Sequence, residues 1–214
     1  MKRTTKLLLV ILSLALAAAH ASCGGRATSQ PRRAAPSDAP NADAANSPAP
    51  APTPEQYSGR MIHVIVALCD NVNQGIVPVP AALGDGDNPR TNLYWGARYG
   101  VKTFFARSRD WRLVSEVKNP KPFILERLVF KHAREDAYLV ADAYRGAEIK
   151  RATVDLLDEA AGVSRETVSV GGRRLGVARG ARSHLVAYVG HDGLMDFRLG
   201  HFPRKQDEAA RDAV

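Results

Sequence analysis

The run Met61-Ile62-His63-Val64-Ile65-Val66-Ala67-Leu68 does most to limit what this chain can fold into. It is apolar on both alternating faces and rich in β-branched residues. It therefore predicts a strand covered on both sides, as in the middle of a parallel sheet. His63, the one polar residue in it, is expected to be a satisfied core or edge histidine. The run stops at Cys69-Asp70-Asn71. Val-Pro-Val-Pro at 77–80 and Gly-Asp-Gly-Asp-Asn at 84–88 then predict a long loop leaving the strand's end.

Pro89 sits where the first turn of a helix tolerates it, with Asp87 or Asn88 as cap. Leu93, Ala97, Val101 and Phe104 follow at helical spacing. Gly96 and Gly100 weaken such a helix by roughly 1 kcal/mol each, which argues for close packing on the sheet. Trp111–Val117 and Phe123–Val129 read as two strands joined at Asn119-Pro120-Lys121-Pro122, an antiparallel excursion at an edge. Ala137–Ala141 reads as a strand ending at Asp142. Ala147–Ala161 reads as a helix, with Ile149, Ala152, Leu156, Leu157 and Ala160 on one face and Gly162 past its end. After a hairpin at Gly171-Gly172, His184–Val189 is a further buried strand, ending at Gly190-His191-Asp192-Gly193. Strand, helix and strand in that order imply a crossover and a parallel pair. The expected fold is thus α/β, a three-layer sandwich with a mainly parallel sheet. It occupies residues 57–214, enough for one domain with a substantial core.

The N-terminus has a different character. Lys2, Arg3 and Lys6 precede an apolar stretch from Leu7 to Ala19 in which only Ser13 is polar. This is the layout of a signal peptide, expected over residues 1–22, and the stretch is short of the ~20 residues that span a bilayer. Two cleavage readings stand. Ala19-His20-Ala21 fits ordinary signal peptidase. Ala21-Ser22-Cys23-Gly24-Gly25 looks like a lipoprotein junction with Cys23 lipidated, although lipoproteins usually carry an aliphatic residue where His20 stands. Residues 23–56 hold seven of the thirteen prolines and little apolar surface, so they are expected to be a disordered tether. Signal, cysteine and spacer together suit a domain held off a membrane by a lipid anchor.

Of the formal charge of +8, removing Lys2, Arg3 and Lys6 leaves +5, and the spacer is neutral. That surplus favours an anionic lipid or polymer nearby. No basic face interleaved with aromatics points to nucleic acid. Cys69 is the only cysteine after Cys23, so no disulfide framework forms inside the domain; the thiol is either buried or reactive.

The polar residues that interrupt apolar runs fall at one kind of place. Asp70 with Asn71, Asp142, and His191 with Asp192 each follow a predicted parallel strand, and in an open α/β sheet ligands bind where those strand ends converge. His191, between a glycine and Asp192-Gly193, suits proton transfer near neutral pH; the plainer reading is a turn histidine. Asp192, Asp70 and Asp142 are alternative partners for it. Cys69 beside such a histidine would suit an activated nucleophile, while a cysteine inside an apolar run is more often a small core residue. Asp85-Gly86-Asp87-Asn88 resembles part of a calcium loop without the later acidic ligand, and turn chemistry explains it better. Arg173, Arg174, Arg179 and Arg182 make a basic patch read as a solvated face, and His132 and His201 have no neighbours that suggest ligation. No phosphate loop, nucleophile elbow, metal or cofactor motif is present.

Val66–Asn71, Asn92–Phe105, Ala141–Gly146 and Tyr188–Asp196 together resemble a group of uncharacterised bacterial exported proteins over most of Arg60–Phe197. That resemblance carries no activity with it. More distantly, a strand ending in Gly190-His191 looks like the N-terminal half of the caspase-like cysteine peptidases, which implies caspase-like topology and the family's histidine at His191. The family usually has Gly directly after its histidine, where Asp192 stands here, and no cysteine follows His191. Ending on Arg211-Asp212-Ala213-Val214, the chain stops as though another strand were beginning, which implies a truncated version of a longer protein. Two functions follow as expectations. One is a Cys/His hydrolase-like crevice built on His191, Asp70 and Cys69, supported by Asp142 and Asp192. The other is a non-catalytic envelope lipoprotein binding a protein partner or an envelope polymer.

Overall fold

The density of β-branched and aliphatic residues at Met61–Ala67 does produce an inner strand. In the computed structural model, which describes residues 55–164, 166–176, 184–200, 202–205 and 211–214, strand β1 is Glu55–Gln56 and β2 is Arg60–Ala67. Helix α1, Val101–Arg107, is followed by β3 (Trp111–Lys121), β4 (Ile124–His132) and β5 (Ala137–Tyr144). Helix α2, Ile149–Ala160, precedes β6 (Thr167–Val170), β7 (Arg173–Gly176), β8 (His184–Val189) and β9 (Arg211–Ala213). The signal segment, Cys23 and the rest of the expected tether up to residue 54, Arg179, Arg182 and His201 lie outside the described residues, while the last two residues assigned to the tether, Glu55 and Gln56, form β1.

The main sheet has six strands in the order β3-β4-β5-β2-β8-β9. β2 runs parallel to β5, with Ile65 opposite Asp142, and parallel to β8, with Ile65 opposite Tyr188. β9 continues the parallel half, while β4 pairs antiparallel with both β5 and β3. A separate three-stranded sheet, β1-β7-β6, closes through a hairpin at Gly171 and Gly172. Both glycines have positive φ, as a two-residue turn of the type that matches strand twist requires.

This overturns the expected three-layer, mainly parallel sandwich of caspase-like topology. The sheet is mixed, its longest ladder is the antiparallel β3–β4 pair, a second small sheet stands beside it, and the described residues form only two α-helices, of 7 and 12 residues. Two physical causes underlie the correction. The expected edge excursion is an integral half of the sheet: β4 is buried along most of its length between β3 and β5. The helix expected from Pro89 onward starts only at Val101. Gly96 and Gly100 lie against the backbone of Arg90 and Trp95, so residues 89–100 wind through tight turns that a Cβ would not permit. No helix among the described residues is long and apolar enough to cross a membrane.

Side-chain alternation divides the core. One face of the sheet buries Val64, Val66, Leu128, Phe130, Leu139 and Ala141 under Trp95, with Phe105 of α1 packed alongside. The other face carries two separate apolar clusters. Met61, Val129, Tyr138 and Val140 meet the small sheet through Val168 and Leu175. Ile65, Ala67, Tyr144 and Val186 meet Ile149 and Ala152 of α2.

On the Trp95 side a single buried carboxylate organises the polar groups. Glu126 Oε2 accepts from Trp95 Nε1 at 2.6 Å, and Oε1 accepts from Lys102 at 2.5 Å and from Lys118. Replacing Glu126 with Ala would leave the indole N–H without its acceptor and two ammonium groups without their buried counter-charge. We expect a loss of about 1–3 kcal/mol in chemical denaturation, at constant m-value, since Lys102 and Lys118 are partly exposed and keep Glu116.

Candidate functional site

All three inner parallel strands point their carboxyl ends to one side of the sheet, and the chain leaves β2 toward one face while β5 and β8 lead to α2 and Phe197 on the other. This divergence opens crevices at the strand ends. Beside β2, residues Asp70–Asn73, Ala81 and Gly84–Asp87 wall a cleft of about 560 Å³. Beside β8, Thr153, Leu156, Tyr188, Gly190 and Asp192–Leu194 line a second, of about 240 Å³.

The β2 cleft is held by side chains bonded to backbone. Asp70 Oδ1 accepts from the Val72 and Asn73 N–H groups, at 2.8 and 3.1 Å, and its Oδ2 accepts from Asn73 Nδ2. Gly86 and Gly146 abut the Asp70 side chain so closely that a Cβ on either would overlap it. Gln74 Nε2 donates to Leu68 O at 2.8 Å and Gly146 O at 3.0 Å, tying the β2 and β5 exits together. Asn92 clamps the last core residue of β2's extension: its Nδ2 donates to Cys69 O at 2.8 Å and its Oδ1 accepts from Cys69 N at 3.0 Å. Asn71 does the same for Val79 through both ends of its amide. Asp85 and Asn88 serve as turn formers, accepting from the N–H groups of Asp87 and Arg90.

The five residues expected to share one site part company. Cys69 is 0% exposed, and burial followed by the nearby Asp70 charge pushes its thiol above the ordinary range. His191 pairs with none of its expected partners: its Nε2 lies 3.0 Å from Asp196 Oδ2, which also accepts from the Gly75 N–H. Asp192 caps the short turn Gly193–Met195 by accepting from Leu194 N. Asp142 is not at a strand tip, because β5 runs on to Tyr144 and places Asp142 inside the sheet at 0% exposure.

Asp142 instead belongs to a buried ion chain. Arg127 donates to it twice, Nε to Oδ1 and Nη2 to Oδ2, both at 2.6 Å. His63 Nε2 lies 3.2 Å from Asp142 Oδ2, and His63 Nδ1 lies 2.7 Å from Glu159 Oε2. Arg127 Nη2 also reaches Glu166 Oε1 at 2.8 Å, and Lys121 closes the far end on Glu166. Beside the chain, Tyr144 donates to Asp155 at 2.8 Å. Burial alone would lower the His63 pKa, but the Glu159 charge and the bonds to Asp142 and Glu159 outweigh it and hold the imidazolium up to about 10. Burial likewise opposes ionisation of Asp142, yet Arg127 and His63 hold it below the usual carboxylate range. Glu159 is raised by burial, against the pull of His63.

Sequence reasoning reaches His63 only as a satisfied histidine and misses Arg127, Glu159, Glu166, Asn92 and Asp196. A signal for Glu159 was present: it continues the 149, 152, 156 spacing of α2's buried stripe, where a lone carboxylate needs a buried cation. Among the described residues no group of three or more His, Cys, Asp or Glu side chains is placed to hold a metal ion. Comparison with protein-family models, curated proteins and solved structures returns no match.

The ion chain gives the fold a predictable pH response. His63, ordinarily near 6.5, is raised to about 10 in the folded protein, so its stabilisation is complete below about pH 6.5 and is lost as pH rises through about 10. Glu159, also raised, acts in the same direction at lower pH. Asp142, lowered, contributes above the ordinary aspartate range and is lost as pH falls. We expect His63→Gln to destabilise the fold at pH 7 and to flatten the alkaline limb of a urea midpoint series between pH 7 and 10, leaving an acid limb in place.

Proposed function

We propose that this chain is an exported envelope protein, held at a membrane through a lipid on Cys23, and that its folded part is a non-catalytic binding domain. The ligand, a protein partner or an envelope polymer, would enter the cleft beside β2. What carries this reading is the contrast between Cys69 and its neighbours: the thiol is sealed in the core, while the residues directly after it wall an open cleft. A nucleophile needs a thiolate that substrate can reach, and burial works against both. The cleft asks for little rearrangement, since Asp70, Asn71, Gln74 and Asn92 already fix its walls. At its rim Asp85 is exposed and Asp87 is paired with Arg145, so the rim offers both acceptors and donors and favours a polar, hydroxyl-rich surface.

The domain test is labelling of the folded chain with an iodoacetamide probe. Cys69 is expected to react only after unfolding; rapid modification under native conditions, together with turnover of any acyl or peptide substrate, would return the hydrolase reading. The anchor test is fractionation. Cys23→Ser is expected to move the chain from the membrane pellet to the soluble envelope fraction, and an unchanged pellet would remove the lipid from the proposal.

A further inference from the structure

Among the described residues, the outer edge of the main sheet is β3, eleven residues long and bonded to β4 on one side only. Sheet edges are pairing templates, and proteins guard them with bulges, proline and lysine. β3 is guarded at both ends: its register with β4 shifts between Leu113 and Ser115 and again between Lys118 and Lys121, Asn119 has positive φ (48°), and Pro120 lacks an N–H. Between these guards one regular stretch, Ser115-Glu116-Val117-Lys118, is left open. Its central Val117 is 43% exposed, and Leu113 (42%) and Val114 (37%) add apolar surface just before it.

That stretch is complementary to itself. If two copies are laid antiparallel with Val117 on the two-fold axis, Glu116 of each stands opposite Lys118 of the other, and Val117 stands opposite Val117. In a regular ladder, opposite residues share a face only when the axis passes through a residue, as it does here. The pairing therefore sets two opposite-charge pairs and one β-branched apolar pair across the strands, each of the kind that stabilises antiparallel neighbours. Any axis through Glu116 would oppose like charges, and one through Ser115 would carry the ladder into the bulge. Glu116 and Lys118 already approach each other at 2.8 Å within the chain, so their side chains lie on the face where the cross-copy pairs would form. We propose that β3 is a homodimerisation edge, joining two copies into one continuous twelve-stranded sheet about an axis at Val117. A closed two-fold contact of this kind ends with two molecules, and the flanking bulges keep the ladder short and stop other chains from extending it.

The test is register-specific crosslinking of the full chain in membranes. Val117→Cys brings two thiols directly opposite each other and is expected to give a reducible dimer on mild oxidation, above any band from the parent chain. Ser115→Cys is expected to give none, because Ser115 and its copy lie roughly 13 Å apart along the strands. Glu116→Lys added to Val117→Cys should cut the dimer band several-fold by opposing lysines across the two copies. A Val117→Cys band that is absent, equal to that of Ser115→Cys, or indifferent to Glu116→Lys would overturn the proposal; a chain that pairs instead with a different protein through β3 would appear as a reducible band of another mass and would overturn it equally.

Discussion

The fold hangs on the alternation of charge along Glu159, His63, Asp142, Arg127 and Glu166. Each interior member touches an opposite charge on both sides, and four of the five are almost wholly enclosed. Burying such groups singly would be prohibitive, and even a matched pair gains little over apolar packing, since desolvation offsets most of the attraction. The chain is therefore better understood as a constraint than as a source of stability. Its members come from α2, β2, β5, β4 and the approach to β6, so a strand out of register, or a helix rotated by one position, would strand a charge in the core.

The position of the chain explains the shape of the core around it. On that face of the sheet, alternation puts His63 between Met61 and Ile65, and Asp142 between Val140 and Tyr144. The ions thus form a seam between the apolar cluster under the small sheet and the cluster under α2. Two covering elements dock side by side on one sheet, and the seam tells each where it ends. The opposite face has no such division: there Trp95 and the aromatic side chains of α1 cover one continuous cluster, and the single buried carboxylate, Glu126, sits at its margin with two lysines.

What was legible in the sequence was whatever depends on near neighbours. The Met61–Ala67 strand, the α2 stripe, the Gly171-Gly172 hairpin and the His184–Val189 strand all follow from periodicity and turn chemistry within a dozen residues. Asp142 was misread for a reason of the same kind. A carboxylate in an apolar run signals a strand end unless a cation neutralises it, and its cations lie 15 and 79 positions away. The mixed sheet was hidden likewise, because Glu126 and Arg127 make β4 look like an exposed strand until their partners are known. Residues 89–100 failed through glycine: the spacing was helical, but Gly96 and Gly100 admit a tighter path that buries Trp95 and brings Asn92 onto the β2 exit.

At the strand ends the sequence marks a region without marking a chemistry. Three parallel strands do finish on one side, and polar residues do gather there, but each is occupied with a separate piece of local structure. Asp70 builds a loop, Asp192 caps a turn, and His191 meets Asp196, which holds the Gly75 backbone. The convergence rule follows from backbone geometry, which opens a crevice whenever successive connections depart to opposite faces. Catalysis asks for more: a nucleophile, its base and an accessible reacting position within hydrogen-bond reach of one another. Here the thiol faces the core and the imidazole faces a carboxylate on its own turn. The crevice is therefore a consequence of topology, and its walls, braced by amide side chains on backbone groups, are arranged to keep a shape. Side-chain amides bonded to backbone at Leu68, Cys69, Val79 and Gly146 hold that shape without drawing on any of the core charges.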